Sequence, residues 1–374
     1  MAEPVVWEQP DNLMEFMQAG NFENVIFCQD RDTGLQAIIA VHDTTLGPAA
    51  GGCRMWTYTS YESAAIDAMR LARGMTYKYA AAGVDLGGGK CVVMGDPKKA
   101  KSEALFRVLG RFIDRLGGVY WTGEDVGTTL DDMVYMRQET PYVITLPEEW
   151  GGAGPISAMT ALGVFEAMKT AISYRLSRDS VEGLTVNVQG AGSVGAPLIE
   201  LLLSHGAKVR VADVAPEALA RWADVPGVEI LSADEILYAP SDVLAPCALG
   251  GVVRQDNVDH FNTKIICGSA NNQLWDARLD TVLKDRGILY GPDFIVNAGG
   301  AVYDADRLGP GGVNHVRGEQ KVRAIGQTMR RIIEIAEAET LGTFRAAEIF
   351  AERRLESVGE ARRLAKFSRS RKGD

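Results

Sequence analysis

Thr185-Val186-Asn187-Val188-Gln189-Gly190-Ala191-Gly192-Ser193-Val194-Gly195 is the stretch on which the fold turns. Its first five residues read as a buried strand, the next six fit Gly-x-Gly-x-x-Gly, and Pro197 to Leu203 continue as a helix. A second strand, Val209-Arg210-Val211-Ala212, ends in Asp213, 23 residues after Gly190. The glycine pattern alone is weak, but strand, loop, helix and acid in this order make a dinucleotide-binding unit. Its glycines permit a tight turn and let a pyrophosphate approach the positive end of the helix. Gly190, Ala191, Gly192, Ser193, Val194 and Gly195 are therefore expected to hold the cofactor. Asp213 can accept hydrogen bonds from both ribose hydroxyls and would repel a 2′-phosphate, which selects NAD over NADP.

Downstream, Asp242 to Ala248 and Lys264 to Asn272 each read as a strand running into small or amide residues, and Gly291-Pro292-Asp293 and Asn297-Ala298-Gly299-Gly300 repeat the device. In a doubly wound sheet such strand ends lie over the cofactor, so Cys247, Ala248 and Asn271 join the expected cofactor contacts. Helical patterns from about 319 to 339 and from 346 to 364 close the chain. Upstream, Gly151-Gly152-Ala153-Gly154-Pro155 is a helix-stopping, hinge-like stretch and marks a domain boundary. The expected architecture is α/β throughout. Residues 1–150 form a substrate domain, completed by a C-terminal helix of about 340–374, and residues 151–339 form a Rossmann domain.

The N-terminal half opens with a short helix and a hairpin, Val25–Cys28 and Leu35–Val41, joined through Asp30 to Gly34. Gly47 to Arg54 reads as irregular, bare backbone. Thr59 and Glu62 suggest a capping box for a helix whose apolar positions lead to Lys78. Gly87-Gly88-Gly89-Lys90 follows, ahead of the apolar Cys91 to Met94. Three consecutive glycines belong where something approaches the main chain closely, and a small substrate is one such thing. A lysine beside that space, among apolar neighbours, would lose solvation and gain acid-base character near neutral pH. A turn with a surface lysine explains the same residues. A phosphate loop does not, because Val84 and Cys91 occupy positions that need glycine and a hydroxyl. Gly123-Glu124-Asp125-Val126-Gly127 puts two acids where a strand yields to a helix, so Asp125 is either an active-site carboxylate or a helix N-cap.

The chain has 374 residues, 46% apolar and 24% charged, enough for two domains, and no apolar run of bilayer length. Its N-terminus lacks a secretory pattern, so the expected location is cytoplasmic. Five scattered cysteines and four histidines show no metal-ligand spacing, so no metal is expected. A formal charge of -10 argues against nucleic acid, and no membrane partner is expected. Six basic residues between Arg362 and Lys372 read as a solvated, frayed terminus.

Taken together, Gly51-Gly52-Cys53-Arg54-Met55, Gly74 to Lys90, Thr122 to Thr128, Ala245 to Ala248, Ser269 to Asn272 and Asn297 to Gly300 resemble, in order, the glutamate, leucine, phenylalanine and valine dehydrogenase family. The resemblance implies NAD(P)-dependent oxidative deamination of an L-amino acid, a homo-oligomer, and an inter-domain cleft that closes before hydride transfer. It implies that Lys78 holds the substrate carboxylate, Lys90 activates water, Asp125 shuttles protons to the amino group, and Asn271 contacts the substrate or nicotinamide region, with Gly51 and Gly52 in the substrate loop. Glutamate enzymes carry a lysine where this chain has Ala50, so an acidic side chain would find no partner here. Ala50, Gly123 and Ala301 are smaller than their counterparts in the leucine enzymes, and Tyr120 to Gly123 is similar to the phenylalanine enzymes. Phenylalanine or another aromatic amino acid is therefore expected, with leucine-like substrates as the alternative. A non-catalytic, NAD-binding redox sensor is the rival from another class. Asp304 stands where relatives carry an apolar residue, and either faces solvent or reaches a polar group on the substrate. Cys53, where threonine is common, has no evident chemical role.

Overall fold

The computed structural model describes residues 12–370, with side chains described as far as residue 361. The chain divides into two compact units. One holds Pro155–Tyr303 and His315–Phe350; the other holds the chain up to Gly154, Asp304–Asn314 and the chain from Ala351. Asp304–Asn314 thus falls with the N-terminal half, and the C-terminal helix, Thr343–Ser370, changes unit after Phe350.

The N-terminal unit is built on β1 (Asn24–Asp30), β2 (Leu35–Asp43), β3 (Ala49–Trp56), β4 (Gly87–Met94) and β5 (Tyr120–Glu124), in the order β1-β2-β4-β3-β5. The two β2 pairings are antiparallel, while β3 runs parallel to both β4 and β5. Alternation sorts the side chains onto two faces. Ile38, Ala40 and Val92 pack with Ala64, Ala65, Ala68, Met69 and Ala72 of the helix Tyr61–Ala81. Ile39, Val41, Cys53, Met55, Cys91 and Val93 pack with Leu105, Phe106, Leu109 and Ile113 of the helix Glu103–Asp114. Each large side chain buried this way contributes roughly 1.5–3 kcal/mol. Cys53 is therefore a core residue, lying across from Cys91 in the β3–β4 register.

Two local expectations are corrected. Gly47 to Arg54 is not irregular: most of it lies in β3, and its glycines serve a strand packed closely between two others. The helix Tyr61–Ala81 is capped by Ser60 with Ser63, not by Thr59 with Glu62.

The second unit carries β6 (Thr185–Gln189), β7 (Lys208–Ala212), β8 (Val228–Ile230), β9 (Val243–Pro246), β10 (Ile265–Ile266) and β11 (Leu289–Tyr290). The order is β11-β10-β9-β6-β7-β8 and every pairing is parallel. Counted from β6, this is the 3-2-1-4-5-6 arrangement of a Rossmann sheet, whose strand order reverses between β6 and β9. That reversal opens the crevice in which dinucleotides bind. The strand expected to open Lys264 to Asn272 is only the two residues of β10, and the small and amide residues after it are irregular. The basic tail is helical in backbone to Ser370, while its side chains and the N-terminal residues 1–11 lie outside the described residues. No described helix is long and apolar enough to cross a membrane.

Candidate active site

Lys90 lies in β4, only 5% exposed, and its Nζ is 2.8 Å from Oδ2 of Asp125, the residue that follows β5. Arg54 of β3 donates to the same oxygen through Nε at 3.0 Å and reaches Asp67 Oδ2 through Nη1 at 3.2 Å. Tyr58 donates its hydroxyl to that Asp67 oxygen. Burial by itself would raise the Asp125 carboxyl, but Lys90 and Arg54 together outweigh it and hold the group at about 2. The expected lysine isolated among apolar neighbours is thus replaced by a lysine seated on a carboxylate. Asp125 is not the N-cap of the following helix, Leu130–Arg137: Thr129 fills that role in a capping box with Asp132.

The triple glycine also needs correction. Gly87, Gly88 and Gly89 are buried strand residues, and protein fills the space their missing side chains leave. A Cβ on Gly87 would strike the Asp43 carbonyl, and one on Gly88 the Ala72 carbonyl and Thr76 hydroxyl of the covering helix. A Cβ on Gly89 would come within 2.6 Å of the Tyr120 ring. Gly51 is closed in the same way by the Gly89 carbonyl. Gly52 has a different use, because a Cβ there would lie 2.7 Å from the Asp125 Cβ, so the glycine makes the seat for that carboxylate. Ala50 is fully buried next to them in β3, and Lys78 is half-buried in the last turn of the helix Tyr61–Ala81.

Gly123 of β5 lies opposite Gly52. The room it leaves is taken by Thr145, whose Oγ1 would be 2.5 Å from a Cβ at position 123, so Gly123 does not enlarge an apolar pocket as expected. Thr145 Oγ1 in turn donates to Asp304 Oδ2 at 2.5 Å. Asp304 is 4% exposed and does not face solvent; its other oxygen, Oδ1, is buried with no hydrogen-bond partner among the described residues. Burial pushes its carboxyl up to about 7, against the opposing effects of the Thr145 hydrogen bond and the Arg307 charge.

In the second unit the loop Gly190 to Gly195 has the shape a dinucleotide needs. Gly190 adopts a φ of +98°, and a Cβ there would lie 3.0 Å from atoms of Cys247 and Ala248, which places those two residues beside the loop. A Cβ on Gly195 would strike the Gly190 carbonyl, so helix and turn pack without a gap, whereas Gly192 faces open space with nothing within 4 Å. That open position suits the approach of a pyrophosphate. Asp213, one residue past β7, accepts from the backbone N–H groups of Ala191 at 2.7 Å and Ala215 at 2.9 Å, which holds its carboxylate at the lip of the loop. Ala191 is buried, Ser193 is exposed and Val194 is half-buried. Asn271 is exposed and accepts from Asn297 Nδ2 at 2.7 Å. Ala301 is half-buried, and the preceding Gly299 and Gly300 pack on the helix Ser157–Leu176 through Met159 and Thr160.

Sequence reasoning missed Arg54 and Thr145. Arg54 stood inside the quoted Gly-Gly-Cys-Arg run, and a buried carboxylate with one lysine already suggests a second donor. Thr145 carries no local signal, since its partners Gly123 and Asp304 come from elsewhere in the chain.

Residues 22–142 match the profile of the Glu/Leu/Phe/Val dehydrogenase dimerisation domain, and residues 151–216 and 214–305 match that of Glutamate/Leucine/Phenylalanine/Valine dehydrogenase. The chain is 46% identical over 350 residues to a leucine dehydrogenase of Geobacillus stearothermophilus, covering 94% of this chain and 95% of that one. It is 45% identical over 347 residues to a phenylalanine dehydrogenase of Caldalkalibacillus thermarum, covering 91% and 93%. The crystal structure of L-tryptophan dehydrogenase from Nostoc punctiforme superposes with a TM-score of 0.78 at 37% identity, covering 93% of this chain and 99% of that one. The chain belongs to the glutamate, leucine, phenylalanine and valine dehydrogenase family, the NAD(P)-linked oxidoreductases that act on the CH–NH2 group of amino acids.

Proposed function

We propose that this enzyme oxidatively deaminates an L-amino acid with a largely apolar side chain, aromatic before branched-chain, using NAD. The observation that most supports the chemistry is the Lys90–Asp125 pair, 2.8 Å apart, a buried lysine on a half-buried carboxylate with Arg54 on the same oxygen. When bound, the nicotinamide supplies the hydride acceptor. Lys78 takes the substrate carboxylate. Once the α-carbon has become an iminium, Lys90, made neutral by passing its proton to Asp125, withdraws a proton from the attacking water, and Asp125 hands its proton to the departing amine. The two groups act as a unit: when Lys90 gives up its charge, Asp125 loses one of its two cations and binds a proton more readily. Ala50, Gly51 and Gly52 of β3 and Gly123 of β5 would contribute to substrate binding from the N-terminal unit, and Asn271 and Ala301 from the other.

NAD rather than NADP follows from Asp213, because a carboxylate at the loop lip opposes a 2′-phosphate. Ala50 excludes an acidic substrate, since nothing at that position neutralises a second carboxylate. Relatives named for phenylalanine and tryptophan favour an aromatic substrate, and the leucine dehydrogenase relative keeps the branched-chain alternative in view. A homo-oligomer fits the dimerisation-domain match. A panel of Phe, Trp, Tyr, Leu, Val and Glu with NAD tests the reading at alkaline pH. NADH should form with the apolar members and not with Glu; best turnover with Glu, or none with any of the six, would reject it.

A further inference from the structure

We propose that Asn297 is a positioning residue: it holds the Asn271 amide with its N–H2 group turned outward, so that the ligand atom met by Asn271 is an acceptor oxygen. This rests on the amino acid dehydrogenase reading above. The nitrogen and oxygen of an amide are told apart by their partners. Asn297 Nδ2 lies 3.1 Å from the Ser269 carbonyl, which can only accept, so this end of the Asn297 amide is the donor. The same Nδ2 is 2.7 Å from the facing atom of Asn271, which must then be the acceptor, Oδ1. The planar amide carries the Asn271 Nδ2 on the side away from Asn297. Asn271 is exposed there, whereas Asn297 is buried.

The fold fixes the loop that carries Asn271. The short helix Asp293–Val296 ends at Asn297. Its first residue, Asp293, accepts from the Gln273 backbone N–H at 2.9 Å, while Asn297 grips Ser269 and Asn271, so one segment holds both ends of residues 269–273. Gln273, fully buried, donates through Nε2 to the carbonyls of Gly268 and Ala270. Asn272 adopts a φ of +50°, a left-handed conformation that asparagine tolerates, and its carbonyl accepts from the Gly251 N–H at 2.7 Å. Asn271 thus stands on a braced loop just beyond β10, at the carboxyl edge of the parallel sheet where ligands of a doubly wound fold bind.

The consequence is chemical. The terminal torsion of an asparagine is broad and roughly two-fold, so an unheld amide can offer either its oxygen or its N–H2 group to a ligand. Asn297 removes that choice, because turning Asn271 over would set two N–H2 groups against each other. An N–H donor fixed in advance suits an oxygen acceptor and costs little ordering when the ligand arrives. Two reaction partners present such an oxygen: the substrate through its α-carboxylate and the cofactor through the carbonyl of its carboxamide.

The test measures steady-state kinetics with the amino acid that the wild type turns over fastest, and NADH affinity by fluorescence titration of the same preparations. Asn271→Ala should lower kcat/KM about tenfold. Asn271→Asp keeps the oxygen facing Asn297 but turns a carboxylate oxygen outward, and should lower it about a hundredfold. A loss carried by the KM for the amino acid, with NADH affinity unchanged, assigns the acceptor to the substrate carboxylate; a loss of NADH affinity assigns it to the carboxamide. Asn297→Asp, equal in shape but unable to donate, should lower kcat/KM at least about tenfold alone, and by no more than about twofold when added to Asn271→Ala, because it acts through Asn271. An Asn271→Asp variant as active as Asn271→Ala, or an Asn297→Asp loss of full size in the Asn271→Ala background, overturns the inference and leaves the dehydrogenase reading standing. If Asn297→Asp does not fold, the order of the two Asn271 variants still decides. No turnover of any amino acid by the wild type would sink both.

Discussion

Asp125, half-buried, and Asp304, fully buried, are both aspartates of the N-terminal unit, and their surroundings drive them in opposite directions. Asp125 has Lys90 at 2.8 Å and Arg54 at 3.0 Å on one oxygen, which keep its carboxyl at about 2 despite burial. Asp304 has a threonine hydroxyl on one oxygen and, among the described residues, no partner on the other, and burial takes it to about 7. Desolvation acts on both, so the number of paired cations decides the outcome. The difference separates two kinds of site. A carboxylate held by two cations stays ionised, whereas one partnered only by a hydroxyl is driven toward its neutral form.

Breaking the Asp125 corner should have the larger effect. In Gly52→Ala the new methyl would meet the Asp125 Cβ and the Glu124 carbonyl, both at 2.7 Å, and a backbone carbonyl cannot swing aside. Displacing Asp125 by even about 1 Å is expected to lower kcat about a hundredfold, measured as steady-state turnover with the best substrate. The pH dependence of stability should separate the two corners next. Asp125, depressed in the folded state, stabilises the fold above its unfolded value of 3.8, and that contribution is lost as pH falls toward 2. Asp304, raised in the folded state, holds its proton longer than the unfolded chain does, so stability declines as pH rises from about 4 to about 7. Glu124, Arg307, Thr145 and Tyr79 face this group and modulate the window. Asp304→Asn removes the titration, so its melting temperature should gain on the wild type across that window and run parallel above it. A shift of about three pKa units corresponds to roughly 4 kcal/mol at most. A constant gap at every pH would show that Asp304 titrates normally. Smallest of the three is Gly123→Ala, whose methyl meets the Thr145 hydroxyl and can be accommodated only by turning that hydroxyl off Asp304. It should cost about 1–3 kcal/mol in denaturant unfolding, the cost of a lost buried hydrogen bond. A loss of turnover equal to that of Gly52→Ala would erase the proposed distinction between the corners.

What could be read from the sequence depended on how local the cause was. The span from β6 to Asp213 was legible because its strand, glycine turn and helix are each determined by neighbouring residues. Lys90 and Asp125 stood out by residue type and by their glycine-rich surroundings, and the fold brings them together as an ion pair. The triple glycine misled, since glycine reports that something comes close without saying what; here it is the helix Tyr61–Ala81, the loop at Asp43 and Tyr120. The burial of Asp304 was hidden for a related reason. An acid is exposed by default, and the hydroxyl that covers this one lies 159 residues away in the chain.

The pairing of Lys90 with Asp125 as the proton-transfer centre is tested most directly by Lys90→Ala, with NAD binding and amino-acid-dependent NADH formation measured on the same preparation. Arg54 still neutralises Asp125 in that variant, and the cofactor loop lies in the other unit, so NAD affinity should stay close to wild type. Turnover should fall by about a thousandfold or more, in the range lost when a positioned acid-base group is removed. Near-normal turnover with intact NAD binding would contradict the assignment.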